Sequence, residues 1–236
     1  IRPEVYENAL SPDCSPYRSM SAAISMTNVA PSVKKRLKPG ERRAQILQTL
    51  AAMLQEPGNE RITTAALAKR LQVSEAALYR HFASKAQMFE GLLDFIEQTV
   101  LSLVQQIAGE EAVLGTLTLE EGRTRAARIA SVLLQFAEKN PGMVRMMVGD
   151  ALQGENERLQ ARMNQLLDKV ESTLRQCLRP AAGAADAADA AARMHDAQVA
   201  ANLLMSFVQG RWLRFVRTGF KRLPTEHWDA CVAILV

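Results

Sequence analysis

TTAALAKRLQVSEAALYRHFASKAQMF, Thr63 to Phe89, is the stretch whose reading decides the fold of this 236-residue chain. Ala65, Leu67, Ala68 and Leu71 form a short apolar stripe at helical spacing. Gln72 and Val73 make a turn, and Ser74 is placed to cap the next helix by accepting from its free backbone N–H groups. That helix, Glu75 to His81, opens with the small residues Ala76 and Ala77, so it can come close to another surface. Tyr79, Arg80 and His81 supply hydrogen-bond donors at its far end. Ser84, with Gln87 three residues on, begins a third helix with a capping box. This is the layout of a helix-turn-helix whose second helix enters the major groove of DNA. A plain helical hairpin is the alternative, and Gln72, at a place where many such turns carry Gly, leans toward it.

Charge separates the two readings. From Lys34 to Lys85 there are eleven Lys or Arg against four Glu, a net +7. Residues 86–236 carry sixteen basic and eighteen acidic side chains, and residues 1–33 are net −1. The positive charge is thus confined to the segment with the motif, as expected of a DNA reader. Ser74, Glu75, Ala76, Ala77, Tyr79, Arg80 and His81 are the candidate DNA-binding residues, with Tyr79 and His81 expected on phosphates. Lys85 is expected on a phosphate at the start of the third helix, with Thr63 and Thr64 as weaker candidates.

Around this unit the chain reads as all-α. Hydrophobic residues make up 48% and aromatics 5%, enough for a core built mainly from aliphatic side chains. Residues 1–33, with four prolines and no helical period, are expected to be disordered. The chain begins at Ile1, which suggests an upstream extension or a fragment, with Met20 and Met26 as candidate starts and no signal peptide. VKKRLKPGERR, Val33 to Arg43, is either a basic arm lying along DNA or a solvated linker. Residues 1–40 are therefore assigned to an extension with a basic arm, 41–84 to the DNA-binding domain and 85–236 to a helical regulatory and dimerisation domain. Helices are expected at about Glu41 to Glu56, Lys85 to Ile107, Arg123 to Lys139, Met143 to Leu152, Glu155 to Arg179, Ala187 to Phe220 and Thr225 to Val236. The segment Gly109 to Gly122 and the start of the alanine-rich run Ala181 to Ala192 are expected to be loops.

Val199, Leu203, Phe207 and Val208, followed by Trp212, Phe215, Val216 and Phe220, make more apolar surface than one helix normally needs. The surplus is assigned to a two-fold dimer interface that includes Phe207, with Trp212 and Phe215 expected to be buried at or beside it, because a helix-turn-helix reads only half of a site. The three His residues (81, 195 and 227) lack metal-ligand spacing, and no GxSxG, HExxH or Gly-rich phosphate loop occurs, so neither an enzyme nor a cofactor is expected. Cys14, Cys177 and Cys231 lack CxxC spacing and read as reduced thiols of a cytosolic protein. No apolar run approaches the roughly 20 residues of a membrane span.

The basic arm, the reader with LYRHF at Leu78 to Phe82, the Lys at the next helix start and the helical domain together resemble the TetR/AcrR family. Arg61 to Gln98, Leu159 to Arg179 (LQARMNQLLDKVESTLRQCLR) and Arg214 to Ala230 (RFVRTGFKRLPTEHWDA) resemble its branch of nucleoid occlusion factors. That resemblance implies dimers on palindromic chromosomal sites in the nucleoid, antagonising polymers of the tubulin-like division protein FtsZ. It also implies a partner groove along the third helix and the one after it, with Phe95 and Asn140 matching the pattern, Lys139 keeping the charge of an Arg usual in the branch, and Arg128 added by helical spacing. Leu103 and Gln135 depart from the branch, which usually has Arg and Gly there. Phe95 is expected at the edge of the helix stripe as an exposed apolar anchor. A ligand-responsive repressor, the commoner role in the wider family, is the alternative and would require a sizeable apolar cavity.

Overall fold

A computed structural model of the chain describes residues 39–56, 62–109, 117–152, 157–179 and 187–235, with side chains in the last stretch from Met194 onward. The extension of residues 1–33, most of the basic arm, the Pro57-Gly58 stop and the start of the alanine-rich run lie outside the described residues. Every regular element among the described residues is helical. They are α1 (Pro39–Gln55), α2 (Thr64–Leu71), α3 (Glu75–Tyr79), α4 (Lys85–Ala108), α5 (Leu119–Lys139), α6 (Pro141–Met147), α7 (Glu157–Leu178), α8 (Ala187–Arg217) and α9 (Trp228–Leu235).

α1 buries Ile46, Leu47, Leu50, Met53 and Leu54, the stripe expected from its spacing. This face packs on α2, α4 and, most extensively, α6. α4 is about 36 Å long at 1.5 Å per residue and joins the reading unit to the helical body. It lies against both α5 and α7, so apolar residues around most of its circumference are covered. α8 closes the body by packing on α7 and α5.

Several boundaries differ from the sequence expectation, each for a local reason. α5 starts a turn early, at Leu119, because Thr118 and Glu121 form a reciprocal capping box. The expected helix Met143 to Leu152 divides into α6 and a 3-10 turn at Asp150–Leu152, with Gly149 at φ 79° between them. α5 ends at Lys139 as expected, and Pro141, just beyond it, opens α6 in its first turn, two residues before the expected start at Met143. α8 ends at Arg217: Gly219, at φ 60°, forms a Schellman cap in which Phe220 N–H donates to the Phe215 carbonyl (2.9 Å) and Gly219 N–H to that of Val216 (3.0 Å). α9 starts at Trp228, not Thr225, because the preceding turn is bonded elsewhere. Glu138 of α5 accepts from both Thr225 N–H (3.3 Å) and its hydroxyl, while Arg211 donates to the carbonyls of Leu223 (3.2 Å), Pro224 (2.9 Å) and Glu226.

α6 ties the body to α1. Gly142 sits so close that a Cβ there would overlap the Ala51 carbonyl. Arg145 donates to the Leu54 carbonyl (3.2 Å) at the end of α1 and pairs with Asp150 (2.7 Å). The Met residues of α6, Met143, Met146 and Met147, are core filler. Across the body, Arg162 of α7 bridges Asp94 and Glu97 of α4 (2.6 Å each), with Lys169 also on Glu97 (3.0 Å). The Arg162 hydrogen bond holds the Glu97 carboxyl below the ordinary glutamate range. Burial raises the Cys177 thiol to about 11.

The turn between α2 and α3 keeps its sharp geometry without glycine. Gln72 adopts φ 55°, ψ 43°, and its N–H caps the α2 carbonyls of Ala68 and Lys69. Its side chain is exposed, so replacing it removes little packing. Gln72→Gly is expected to raise stability by about 0.5–1 kcal/mol, relief of the left-handed penalty outweighing the extra entropy of the unfolded chain. A urea titration showing a loss of stability would overturn that balance.

Candidate nucleic-acid interface

α2 and α3 are positioned by their own caps. The Thr63 hydroxyl accepts from Ala66 N–H (3.1 Å), and Ser74 Oγ accepts from Ala77 N–H (3.3 Å). One polar chain crosses between the two helices: Thr64 Oγ1 donates to Glu75 Oε2 (2.6 Å), and Tyr79 OH reaches Thr64 Oγ1 at 3.5 Å. These contacts set the angle at which α3 is presented. They also commit Thr64 and Glu75 to each other, while Ser74, Ala76 and Arg80 stand exposed and Ala77 half-buried. Tyr79 is 45% exposed despite its size. Leu78, behind this face, is buried.

α3 is shorter than expected, so Arg80 and His81 lie in the turn after it. The chain turns there because Phe82 enters the core and Ser84 must reach the start of α4, where it accepts from Gln87 N–H (3.1 Å). Arg43, read from sequence only as part of the basic arm, fastens this turn. It donates to the His81 carbonyl (2.9 Å), and its guanidinium lies 4.1 Å above the Phe82 ring. No local pattern links positions 43 and 81, so this role was invisible in the sequence. Lys85 is half-buried in the first turn of α4, its Nζ 5.5 Å from the Phe89 ring centre. Lys69 and Arg70 are exposed at the end of α2, Arg70 paired with Glu56.

The residues expected to meet a protein partner are placed less uniformly. Arg128 and Lys139 are exposed on α5. Asn140 is half-buried and donates to the Phe136 carbonyl (2.8 Å), so its side chain caps α5. Phe95 is not an exposed anchor: it is only 6% accessible and belongs to the core. The edge of the α4 stripe is covered because helices pack on both of its sides. Two of the expected dimer residues are buried, as residues at or beside that interface were expected to be. Trp212 is wholly buried in its own chain and donates to the Leu133 carbonyl (3.3 Å), and Phe215 is buried beside it. Neither ring is left for a partner's surface. Phe207 is half-buried and tilts against Trp228 at 6.0 Å.

Comparison with known proteins places this geometry. Residues 46–92 match the family described as bacterial regulatory proteins, tetR family, and residues 120–236 match the SlmA-like tetracyclin repressor-like C-terminal domain. The chain is 50% identical over 189 residues to the nucleoid occlusion factor SlmA of Idiomarina loihiensis, spanning 80% of this chain and 90% of that protein. It is 45% identical over 199 residues to the SlmA of Alteromonas mediterranea, spanning 84% and 94%. Among solved structures, the TetR family regulator PfmR of Thermus thermophilus aligns over 81% of this chain and 96% of its own, with a TM-score of 0.59 at 19% identity. At that identity the likeness is one of fold.

Proposed function

The chain belongs to the TetR family, in its SlmA-like branch, and on that premise we propose that it is a nucleoid occlusion factor which, bound as a dimer to chromosomal palindromes, antagonises FtsZ polymers and blocks septum formation over the nucleoid. It is a DNA-binding helix-turn-helix protein whose relatives are regulators, not enzymes. The observation that carries the finer reading is identity of 45–50% to nucleoid occlusion factors, extending through the helical body as well as the reading unit. Among the described residues no helix is long and apolar enough to cross a membrane.

Dimerisation is supported by apolar surface that one chain leaves uncovered. On α8 Leu203 is 56% and Val199 43% exposed, and α9 buries none of its residues. Phe207 borders this surface; Trp212 and Phe215 support it from within. For FtsZ, the exposed cations Arg128 and Lys139 suit an acidic segment of that partner.

Two hollows among the described residues bear on the ligand-repressor reading. The hollow beside Met147, Leu167 and Leu213 measures about 250 Å³, and that beside Asp168 and Arg175 about 170 Å³. Both fall below the roughly 300–1,000 Å³ of small-molecule sites.

Two measurements test the proposal. The protein should co-sediment with FtsZ polymers and shorten them, more strongly when palindromic DNA is present; indifference of the polymers with and without DNA would refute it. Lys85→Ala should weaken binding to all duplexes and flatten the salt dependence by about one unit per protomer, the signature of one lost phosphate contact in each half-site. An unchanged slope would remove Lys85 from the interface.

A further inference from the structure

The segment RWLRFVRTGFKRL, Arg211 to Leu223, holds five of the sixteen basic residues found after position 85 and no acidic one. Arg211 is bound to the carbonyls of the following turn, and Arg222 pairs with Glu226 (3.4 Å). Arg214, Arg217 and Lys221 are exposed, and among the described residues none of their side chains has a partner. Cations at a helix C-terminus stabilise its dipole, which accounts for Arg214 and Arg217 in the last turn of α8. It does not account for Lys221 and Arg222, which lie beyond the Schellman cap.

The cap presents these residues rigidly. Phe220 follows Gly219 into the left-handed region (φ 63°), where an aromatic side chain is strained, and its ring packs edge-on against Phe215 at 5.1 Å. Thr218 Oγ1 accepts from Arg222 N–H (3.1 Å). The segment also sits at a defined end of the molecule. Trp212 and Thr225 attach it to the C-terminal half of α5 through Leu133 and Glu138. α5 leads directly into α6, and α6 abuts α1 of the reading unit at Ala51 and Leu54.

We propose that this basic foot, Arg214, Arg217 and Lys221, is a second DNA contact, an electrostatic one to the phosphate backbone that extends the footprint beyond the reading helices. It rests on the DNA-binding reading of α2 and α3. The foot has no aromatic or amide donor presented for base edges, so its contribution is independent of sequence. Its attachment to the end of α5 that runs into α6, which in turn rests on α1, favours DNA over an acidic protein or a lipid surface.

The test uses the full chain and a palindromic duplex with flanks. The triple variant Arg214→Ala, Arg217→Ala, Lys221→Ala should lower the salt slope by about two to three units per protomer and shorten the hydroxyl-radical footprint, with sequence preference intact. Because all three side chains are exposed, the thermal transition should fall by no more than the small loss of the two helix-dipole charges. Arg214→Lys with Arg217→Lys should keep the wild-type slope, which a role in folding alone would not predict. An unchanged slope and footprint in the alanine variant overturns the proposal. So does an unchanged slope accompanied by lost co-sedimentation with FtsZ polymers or anionic phospholipid vesicles, which would assign the foot to those surfaces. If the wild-type chain itself shows no salt-dependent binding to any duplex, the DNA-binding premise fails, and that failure is recognisable without the variants.

Discussion

Gly142→Val is expected to lower both the stability of the protein and its affinity for DNA. The Gly142 Cα lies against the Ala51 carbonyl of α1, so a side chain there meets backbone, which cannot swing aside as a flexible side chain would. Overpacking of this kind costs typically about 1–3 kcal/mol, and more where the backbone must move. The shift would propagate: α1 carries Ile46, Leu50 and Leu54 beneath the reading unit, and Arg145 would lose its bond to the Leu54 carbonyl as α6 retreats. Tenfold or greater weakening on a palindrome is expected, because two half-sites must be met in register. Thermal denaturation together with a binding titration checks both parts. A variant with wild-type melting and wild-type affinity would show the α1–α6 seam to be soft.

Phe95→Ala is expected to cost about 3–5 kcal/mol, the range for truncating a buried aromatic. The ring is part of the continuous core, packed where α4 meets its neighbouring helices. Any loss of FtsZ inhibition in this variant should therefore come with a lowered urea midpoint. If stability is unchanged and only the inhibition disappears, Phe95 reaches the partner after all and the core tolerates its absence. Arg128→Ala and Lys139→Ala, both at exposed sites, give the cleaner test of a charged partner surface, since stability should be unaffected.

The order and type of the helices were legible in the sequence because caps and apolar spacing are local. Ser74 and Ser84 announce the two helices that follow them, and the stripe of α1 identifies its buried face. The Thr118–Glu121 capping box was equally local, yet it lay in a stretch read by its Gly and Glu content as a loop. What the sequence concealed depends on three-dimensional neighbours. An amphipathic stripe on α8 looks the same whether its aromatics face their own core or a second chain; Trp212 and Phe215 face their own core. Phe95 looked peripheral on a helix considered alone, but α4 is packed on two sides. The Arg43–His81 bond spans 38 residues, beyond any periodicity.

Ile46 of α1 and Trp212 of α8 are members of one unbroken cluster of buried side chains. The reading head therefore has no foundation of its own, and its forty-odd residues would be poorly stable if excised. In engineering terms, specificity can be rewritten residue by residue on α3, but the head cannot be grafted as a cassette onto another body without its matching α4 and α6. In cooperative terms, head and body should melt as one unit, so a lesion deep in the body, far from any phosphate, would register first as a protein that lets go of DNA.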